Sequence, residues 1–427
     1  VTVDNGAILS VGTGGSFTIA NGTGTDMTVS SGGEFQTTAA ITVTVNASAT
    51  MQVDGIFRET TAVPTITATG TITIGVTGTY EHSVNAGSIP TCTWTAGSTC
   101  NLKNMTATQP SGLTQSFSNF TVDCPALGGA GLQFSGNLTT VNGNLTLIST
   151  GAGFVRLSTG AASYTLNIGG NLDVQGTSEL DFSSGGTSAV TATVNVTGNL
   201  TQSGTSDIHK SGAQNLALTI NGDFNQTGGT FTFSDVGSST STVTLLGNFT
   251  ENGAVVRGAG TCAFNFHKTT GTQTWSQGTP ITTAQAISWS VGNGSTANPT
   301  VQMLTNVNLG TSGTTAFTVN NGSTLDFQDK ILTATNAPFT MGATSTLKIG
   351  SQYGITNGAI GGGTSGNLQT QVAGRVMVAT ATYIYSGTVN QATGNILPAT
   401  LTGTGKLTIA NTGTSGNNTV TLTTTGT

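Results

Sequence analysis

The stretch that decides the fold is YTLNIGGNLDVQGT, residues 164–177, because three later stretches repeat its pattern. The repeats are ATVNVTGNLTQSGT (192–205), LALTINGDFNQTGG (216–229) and STVTLLGNFTENGA (241–254). Each has apolar residues in alternation, then a glycine, an asparagine or aspartate, and a leucine or phenylalanine. Alternation with a period of two indicates a strand with one buried face. Recurrence of the whole pattern at nearly constant spacing predicts a repeat architecture.

The most constant part of the pattern is a glycine followed by Asn or Asp. The four pairs are Gly170–Asn171, Gly198–Asn199, Gly222–Asp223 and Gly247–Asn248. Both residue types tolerate positive φ, so we expect a sharp corner between two strands here. Stacked repeats would align the four Asn and Asp side chains into an inward ladder that satisfies backbone groups at the corner.

Short alternating runs bounded by Gly and Asn fill the rest of the chain. The sequence therefore predicts an all-β, right-handed parallel β-helix (a β-solenoid) of roughly 15 to 19 turns, each of roughly 22 to 28 residues. We expect one continuous rod over 1–427, with looser repeats in 1–130, regular repeats in 131–258 and variant repeats in 259–427. A chain of separate β-sandwich domains is the rival fold, and the near-constant repeat spacing disfavours it.

Strand-like sequence reaches both ends of the chain. Residues 1–11 read VTVDNGAILSV and residues 417–427 read NNTVTLTTTGT, with no polar cap at either end. Solenoids need capped ends, so we expect the rod to continue, either as more chain or by stacking on another copy.

Composition excludes several classes of function. The 427 residues include only 10 Lys plus Arg against 16 Asp plus Glu, a net charge of −6. A protein with so few basic residues cannot neutralise many phosphates, which excludes a nucleic-acid partner. No apolar run approaches the roughly 18 residues that a membrane-spanning helix needs. The sequence contains no phosphate-binding loop and no nucleophile elbow, and we expect no cofactor.

The four cysteines allow a disulfide but do not predict a metal site. Cys92 and Cys100 flank the loop TWTAGST, Cys124 follows about one repeat length later, and Cys262 stands alone. A disulfide could close the Cys92–Cys100 loop, or it could join Cys100 to Cys124 in the adjacent turn. The alternative is that the cysteines are small buried thiols. No CxxC motif or group of histidines accompanies them, so we predict no zinc site.

One group of residues could carry enzymatic chemistry. Glu179 and Asp181 are two apart, so they lie on the same side of a strand. Counting from the repeat predicts that Glu179 stacks on Asp207 and that Asp181 stacks on His209. Two carboxylates about 5 to 9.5 Å apart can catalyse glycoside hydrolysis.

The surroundings of this group favour a solvated polar face instead. The next repeat has Phe231 and Phe233 at the corresponding positions, so no wider charged groove is expected. The three tryptophans, Trp94, Trp275 and Trp289, lie in strand-like runs and are expected in the core rather than on a sugar-binding surface. We therefore predict that the chain is not an enzyme.

Several stretches resemble large secreted repeat proteins of Bacteroidota, the surface-exposed substrates of type IX secretion that include gliding adhesins. The stretches are TYEHSVNAGSIPTCTWTAGSTCNL (79–102), FSNFTVDCPAL (117–127), FSGNLTTVNGNLTL (134–147), FNFHKTTGTQTW (264–275), ATSTLKIGSQYGI (343–355) and YIYSGTVNQATGNILP (383–398). The resemblance implies an extracellular, cell-surface location and an adhesive or scaffolding role, and it implies no catalytic residues. The C-terminal sorting domain of such proteins is not seen in this sequence.

Together these features predict an extracellular structural or adhesive protein, a stiff surface rod or filament component. Its expected partners are other copies or further repeats, bound through the solenoid ends, and surface glycans. The alternative function is an extracellular β-helix that binds or cleaves polysaccharides.

Overall fold

The structure, a computed structural model, describes residues 1–160, 162–278, 286–310, 316–335, 337–358, 363–370 and 372–423. It confirms the predicted fold class: the chain is all-β, with parallel strands stacked as a β-solenoid of about 16 turns. No α-helix occurs in these ranges, and one short 3₁₀ helix spans Val372–Gly374. The last four residues of the closing stretch 417–427 lie outside the described residues.

The chain divides into two compact units, Val1–Asn215 and Leu216–Thr427. In each unit, a turn passes through up to three strands before the chain returns to its starting edge. Equivalent strands of successive turns pair in parallel, and we call the three resulting stacks ladders 1, 2 and 3.

The first unit contains all three ladders. Ladder 1 has a run of Thr2–Val3, Met27–Val29, Thr50–Val53, Thr71–Ile74 and Thr93–Trp94, then a run of Ser116–Phe117, Thr140–Val141, Tyr164–Ile168 and Thr191–Val196. Ladder 2 comprises Ile8–Val11, Glu34–Thr37, Ile56–Glu59, Thr79–His82, Thr99–Lys103, Asn119–Asp123, Leu145–Ser149, Leu172–Val174 and Leu200–Gln202. Ladder 3 has a run of Ser16–Ile19, Thr42–Val45 and Thr65–Ala68, then a run of Leu132–Gln133, Val155–Ser158, Glu179–Ser183 and Asp207–His209.

The second unit has the same organisation. Ladder 1 comprises Asn215–Ile220, Thr240–Leu245, Thr261–Phe266, Ile287–Val291, Phe317–Val319, Phe339–Met341 and Arg375–Val376. Ladder 2 comprises Phe224–Gln226, Phe249–Glu251, Thr272–Gln277, Thr300–Met303, Thr324–Asp326, Thr346–Ile349, Thr382–Tyr385 and Lys406–Ile409. Ladder 3 has three runs: Thr230–Ser234 with Ala254–Gly258; Val307–Asn308 with Leu332–Ala334 and Leu368–Thr370; and Gln391–Ala392 with Val420–Thr421.

Turn length varies more than the sequence predicts. Leu172 pairs with Leu200, which is the spacing of the repeat itself. Thr79, however, pairs already with Thr99, so this turn is shorter than the predicted range. Thr346 pairs only with Thr382, so that turn is longer than the predicted range. Neither place contains the regular repeat. The chain therefore returns to ladder 2 after fewer residues in the first case and after more residues in the second.

The strand alternation places apolar side chains inside each unit. In the first unit, Phe35, Phe57 and Tyr80 form an aromatic stack with ring centroids 5.1 and 5.3 Å apart. In the second unit, Trp275 and Trp289 stack at 4.9 Å and are both buried. Burial of each such side chain contributes about 1.5–3 kcal/mol. The two buried tryptophans match the sequence prediction, whereas Trp94 is only half-buried.

Candidate functional site

The repeated Asn and Asp residues connect several neighbouring turns. In the first unit, Asn171 Oδ1 accepts a hydrogen bond from the backbone N–H of Asn199 at 2.9 Å. Asn144 Oδ1 accepts the N–H of Asn171 at 2.8 Å. In the second unit, Asp223 Oδ1 accepts the N–H of Asn248 at 2.7 Å. We call this column the corner ladder. It satisfies backbone donors where the chain leaves one ladder for the next.

The corner ladder differs from the expectation in its position. Its Asn171, Asn199, Asp223 and Asn248 side chains are half-exposed at the edge of the strands, whereas we expected them to point inward. The residue that follows each of them, such as Leu172 or Phe249, is the one that enters the core.

The glycines of the pairs also act differently from the expectation. Gly170, Gly198 and Gly247 do not have positive φ. A Cβ atom on Gly198 would lie 2.3 Å from Asn171 Oδ1, and one on Gly170 would lie 2.3 Å from Asn144 Oδ1. Glycine is therefore needed because the amide of the preceding turn occupies the space of a side chain. Positive φ occurs instead at the glycine five residues after the corner residue in the first unit, at 62° for Gly176 and 71° for Gly204, but not at the equivalent Gly253 of the second unit.

A second polar column lies inside the second unit and was missed by the sequence reasoning. Gln226 pairs in register with Glu251, and Glu251 with Gln277. All three side chains are buried. Gln226 Nε2 donates to the carbonyl of Ala254 at 3.0 Å. Gln277 Nε2 donates to Glu251 Oε2 at 3.0 Å. We call these three residues the inner polar ladder.

Burial changes the protonation of the acid in this ladder. Removal of the Glu251 carboxyl from water raises its pKa to about 8, and the hydrogen bond from Gln277 opposes the rise. At neutral pH the group is therefore mostly neutral and resembles the flanking glutamines. The alternation could have revealed this ladder, because Gln226 and Glu251 lie two residues after the buried Phe224 and Phe249.

The predicted acid group is brought together as the repeat spacing implies. Glu179 lies in register with Asp207, and Asp181 lies in register with His209. Glu179 Oε1 is 3.1 Å from His209 Nε2. Both of these side chains are partly exposed.

Asp181 has a different environment from Glu179. Its side chain is fully buried. Arg156 Nε donates to its Oδ2 at 2.8 Å, and the Ser211 hydroxyl donates to the same oxygen at 2.5 Å. The backbone N–H of Ser183 donates to Oδ1 at 2.9 Å. A carboxylate enclosed in this way holds the strands together and has no open path to a substrate.

The aromatic residues next in the repeat do not form a groove for a sugar. Phe231 and Phe233 are both fully buried in the second unit. Glycoside chemistry at Glu179 and Asp207 therefore stays a hypothesis.

A buried polar cluster in the first unit was also missed by the sequence reasoning. Glu59, Tyr80 and His82 are each at most 1% exposed. The Tyr80 hydroxyl donates to Glu59 Oε1 at 2.5 Å, and His82 Nδ1 lies 3.1 Å from Glu59 Oε2. His82 Nε2 lies 2.7 Å from the carbonyl of Ala86, which can only accept, so Nε2 carries a hydrogen.

His82 Nδ1 faces both of the other members of the cluster. It lies 3.1 Å from Glu59 Oε2 and 3.2 Å from the Tyr80 hydroxyl oxygen. Burial, followed by the charge of Glu59, raises the pKa of Tyr80 well above its usual value, so the phenol remains a donor. The three side chains thus form a closed hydrogen-bonded unit within the aromatic stack.

The cysteines are all free thiols, which matches the alternative to a disulfide. The possible bridge from Cys100 to Cys124 does not form, because the local turn is shorter than the repeat and places Phe120 beside Cys100 in register. Cys124 lies beyond the far end of that strand, too far along the chain for disulfide geometry. Cys92 and Cys100 are likewise unbridged, and burial raises the pKa of Cys100 well above its usual value.

The described residues contain no group of three or more His, Cys, Asp or Glu side chains that could hold a metal ion. Within the same ranges, no helix is long and apolar enough to cross a membrane.

The fold and these clusters define the class of protein: a β-solenoid whose turns are joined by polar side-chain ladders. Comparisons of the chain with protein-family models, with curated proteins and with solved structures find no match. The likeness to secreted proteins of Bacteroidota therefore stays a prediction from the sequence stretches quoted above.

Proposed function

We propose that this chain is an extracellular structural and adhesive element of a cell surface. The observation that carries the proposal is the corner ladder, in which a side chain of one turn accepts a hydrogen bond from the backbone of the next turn, in several turns of the first unit and again in the second. With the parallel backbone ladders, these bonds connect neighbouring turns within each unit, and repeat proteins depend on such nearest-neighbour interfaces for their stability. A chain built in this way is suited to carry load.

Composition and sequence likeness support the surface location. The chain has only 10 Lys plus Arg, so it offers few cleavage sites to trypsin-like proteases outside a cell. The resemblance to surface-exposed repeat proteins implies the same location. The partners that fit are other copies, bound through exposed edges of the parallel ladders, and surface glycans.

The test is an attachment assay in the native organism. Cells that lack the gene should attach to a surface under flow less well than cells complemented with the wild-type chain. Cells complemented with the Asn171→Ala/Asn199→Ala double variant should lose attachment faster when a broad-specificity protease is added. Unchanged attachment in the deletion strain would contradict the adhesive role. Equal protease sensitivity of the two complemented strains would contradict the role of the corner ladder.

A further inference from the structure

A long turn of the second unit forms a cleft. Thr346 of ladder 2 pairs next with Thr382, so the chain inserts extra residues between these two strands. Part of this insertion lies beside the second run of ladder 3 and helps to enclose about 560 Å³. This volume lies within the usual range for small-ligand sites, about 300–1,000 Å³.

One wall of the cleft is fixed by hydrogen bonds before any ligand arrives. The carbonyl of Gln352 accepts the N–H of Ala392 at 2.7 Å, and Ser351 Oγ accepts the N–H of Tyr353 at 3.2 Å. Gly354 has a φ of 66°, and a Cβ there would lie 2.2 Å from the carbonyl of Ala392. Only glycine permits this contact between turns, which holds Tyr353 in the wall.

The lining combines one aromatic ring with separate polar groups. Tyr353 is half-buried, and the side chain of Asp329 is 74% exposed. The lining also includes Ile331, Thr333, Gln352 and Val389. The lining residues of the cleft come from successive turns, which are about 4.8 Å apart.

We propose that this cleft binds a segment of a neutral oligosaccharide. A sugar ring has an apolar C–H face that packs against a tyrosine ring, and hydroxyls at its edge that bond amides, hydroxyls and carboxylates. Tyr353 with Ile331 and Val389 supplies the first kind of contact, and Gln352, Thr333 and Asp329 supply the second. Lys330 Nζ beside the cleft is already paired with Asp329 Oδ1 at 2.7 Å, and this pairing, together with the net charge of −6, disfavours an acidic sugar.

The inference deepens the adhesive part of the proposed function by naming a ligand class and a site. Its test measures binding by the purified chain, whereas the attachment assay measures the role in cells. A result against oligosaccharide binding would therefore leave the surface role untouched. A result against the surface role would likewise leave binding by the cleft untouched.

The test uses isothermal titration calorimetry with cellohexaose, laminarihexaose, xylohexaose and mannohexaose, each at about 5 mM, and with hexagalacturonate as the acidic probe. At least one neutral probe should bind the wild-type chain. Tyr353→Ala should weaken that binding about tenfold or more, and Tyr353→Phe should retain most of it. Gln302→Ala is the matched control for Gln352→Ala, because Gln302 lies on ladder 2 and does not line the cleft.

Three results would overturn the proposal: no binding of any neutral probe, binding of the acidic probe alone, or equal affinity of the wild-type and Tyr353→Ala chains. The thermal midpoint of each variant shows whether it folds. If Tyr353→Ala does not fold, Gln352→Ala replaces it, because the Gln352 side chain is exposed. Equal affinity of the wild-type and Gln352→Ala chains for the neutral probe would then overturn the proposal.

Discussion

At the residue scale, the corner asparagines act as hydrogen-bond acceptors, not as flexible corner residues. Asn171→Ala removes the acceptor for the Asn199 N–H and should lower the free energy of unfolding by about 1–2 kcal/mol. Asn171→Asp keeps an acceptor, as Asp223 does naturally, and should cost less. Denaturant unfolding measures both. Asn195→Ala is the control, because the Asn195 side chain bonds the exposed side chain of Asn167, and a loss equal to that of Asn171→Ala would contradict the account.

The glycine that precedes each corner residue gives a second test. Gly198→Ala would place a Cβ 2.3 Å from Asn171 Oδ1 and 2.7 Å from the carbonyl of Gly170, so the turns must separate. We expect a loss of about 2 kcal/mol or more. Gly237→Ala, where a Cβ meets nothing within 4 Å, should change stability by less than about 0.5 kcal/mol. Equal thermal midpoints for the two variants would show that the corner has room for a side chain.

The buried Glu251 predicts a pH dependence of stability. Its folded-state pKa of about 8 lies above the usual 4.5, so between these values the folded chain binds more protons than the unfolded chain. Stability should therefore fall as the pH rises from about 4.5 to about 8. Glu251→Gln keeps the shape of a neutral acid and should be more stable than the wild type at pH 8, by an amount on the order of 3 kcal/mol. The two chains should have similar stability near pH 5.

Urea unfolding of both chains at several pH values measures this difference. Gln226→Glu is the opposite change, because it adds a second acid to the inner polar ladder. It should make the loss of folding stability at high pH steeper than in the wild type. If the stability difference between Glu251→Gln and the wild type does not change with pH, Glu251 is not the buried acid that titrates.

Much of the residue scale could be predicted from the sequence. The repeat aligned Asn171 with Asn199 because each is followed by a core residue, Leu172 or Leu200, and register follows the buried face. The reason for the glycines could not be predicted in the same way. It depends on the distance between atoms of different turns, which a pattern along one strand does not contain.

At the scale of elements, the cluster of Glu59, Tyr80 and His82 joins two adjacent strands of ladder 2. His82→Leu removes the imidazole that lies 3.1 Å from Glu59 Oε2 and leaves this buried carboxyl beside an apolar side chain, which should cost about 3 kcal/mol or more. The Glu59→Leu/His82→Leu double variant removes both polar groups and should lose less than the sum of the two single variants. A double-mutant cycle by denaturant unfolding measures this coupling. Strictly additive losses would show that the two groups do not interact.

Turn length is the part of this scale that the sequence did not predict. Where the repeat is regular, as from Phe224 to Phe249, the register matches the sequence spacing. The turns are shorter where Thr79 pairs with Thr99 and Thr99 with Asn119, and alternation alone does not indicate where a chain closes its turn. The possible bridge between Cys100 and Cys124 does not form for this reason. The cleft beside Tyr353 was missed because it depends on a turn of unusual length.

At the scale of the whole molecule, the proposed function places the chain outside the cell as a structural and adhesive element. The fold class followed from the repeat, because period-two alternation that recurs at nearly constant spacing predicts stacked strands. Location does not follow from the same physics, since a solenoid packs its core equally well in any compartment.

Immunogold electron microscopy of intact native cells tests this claim most directly. Antibodies raised against the folded chain are applied before and after permeabilisation, with a cytoplasmic protein as the control for intact cells. The account predicts gold label on the outer surface of unpermeabilised cells. Label that appears only after permeabilisation would contradict it.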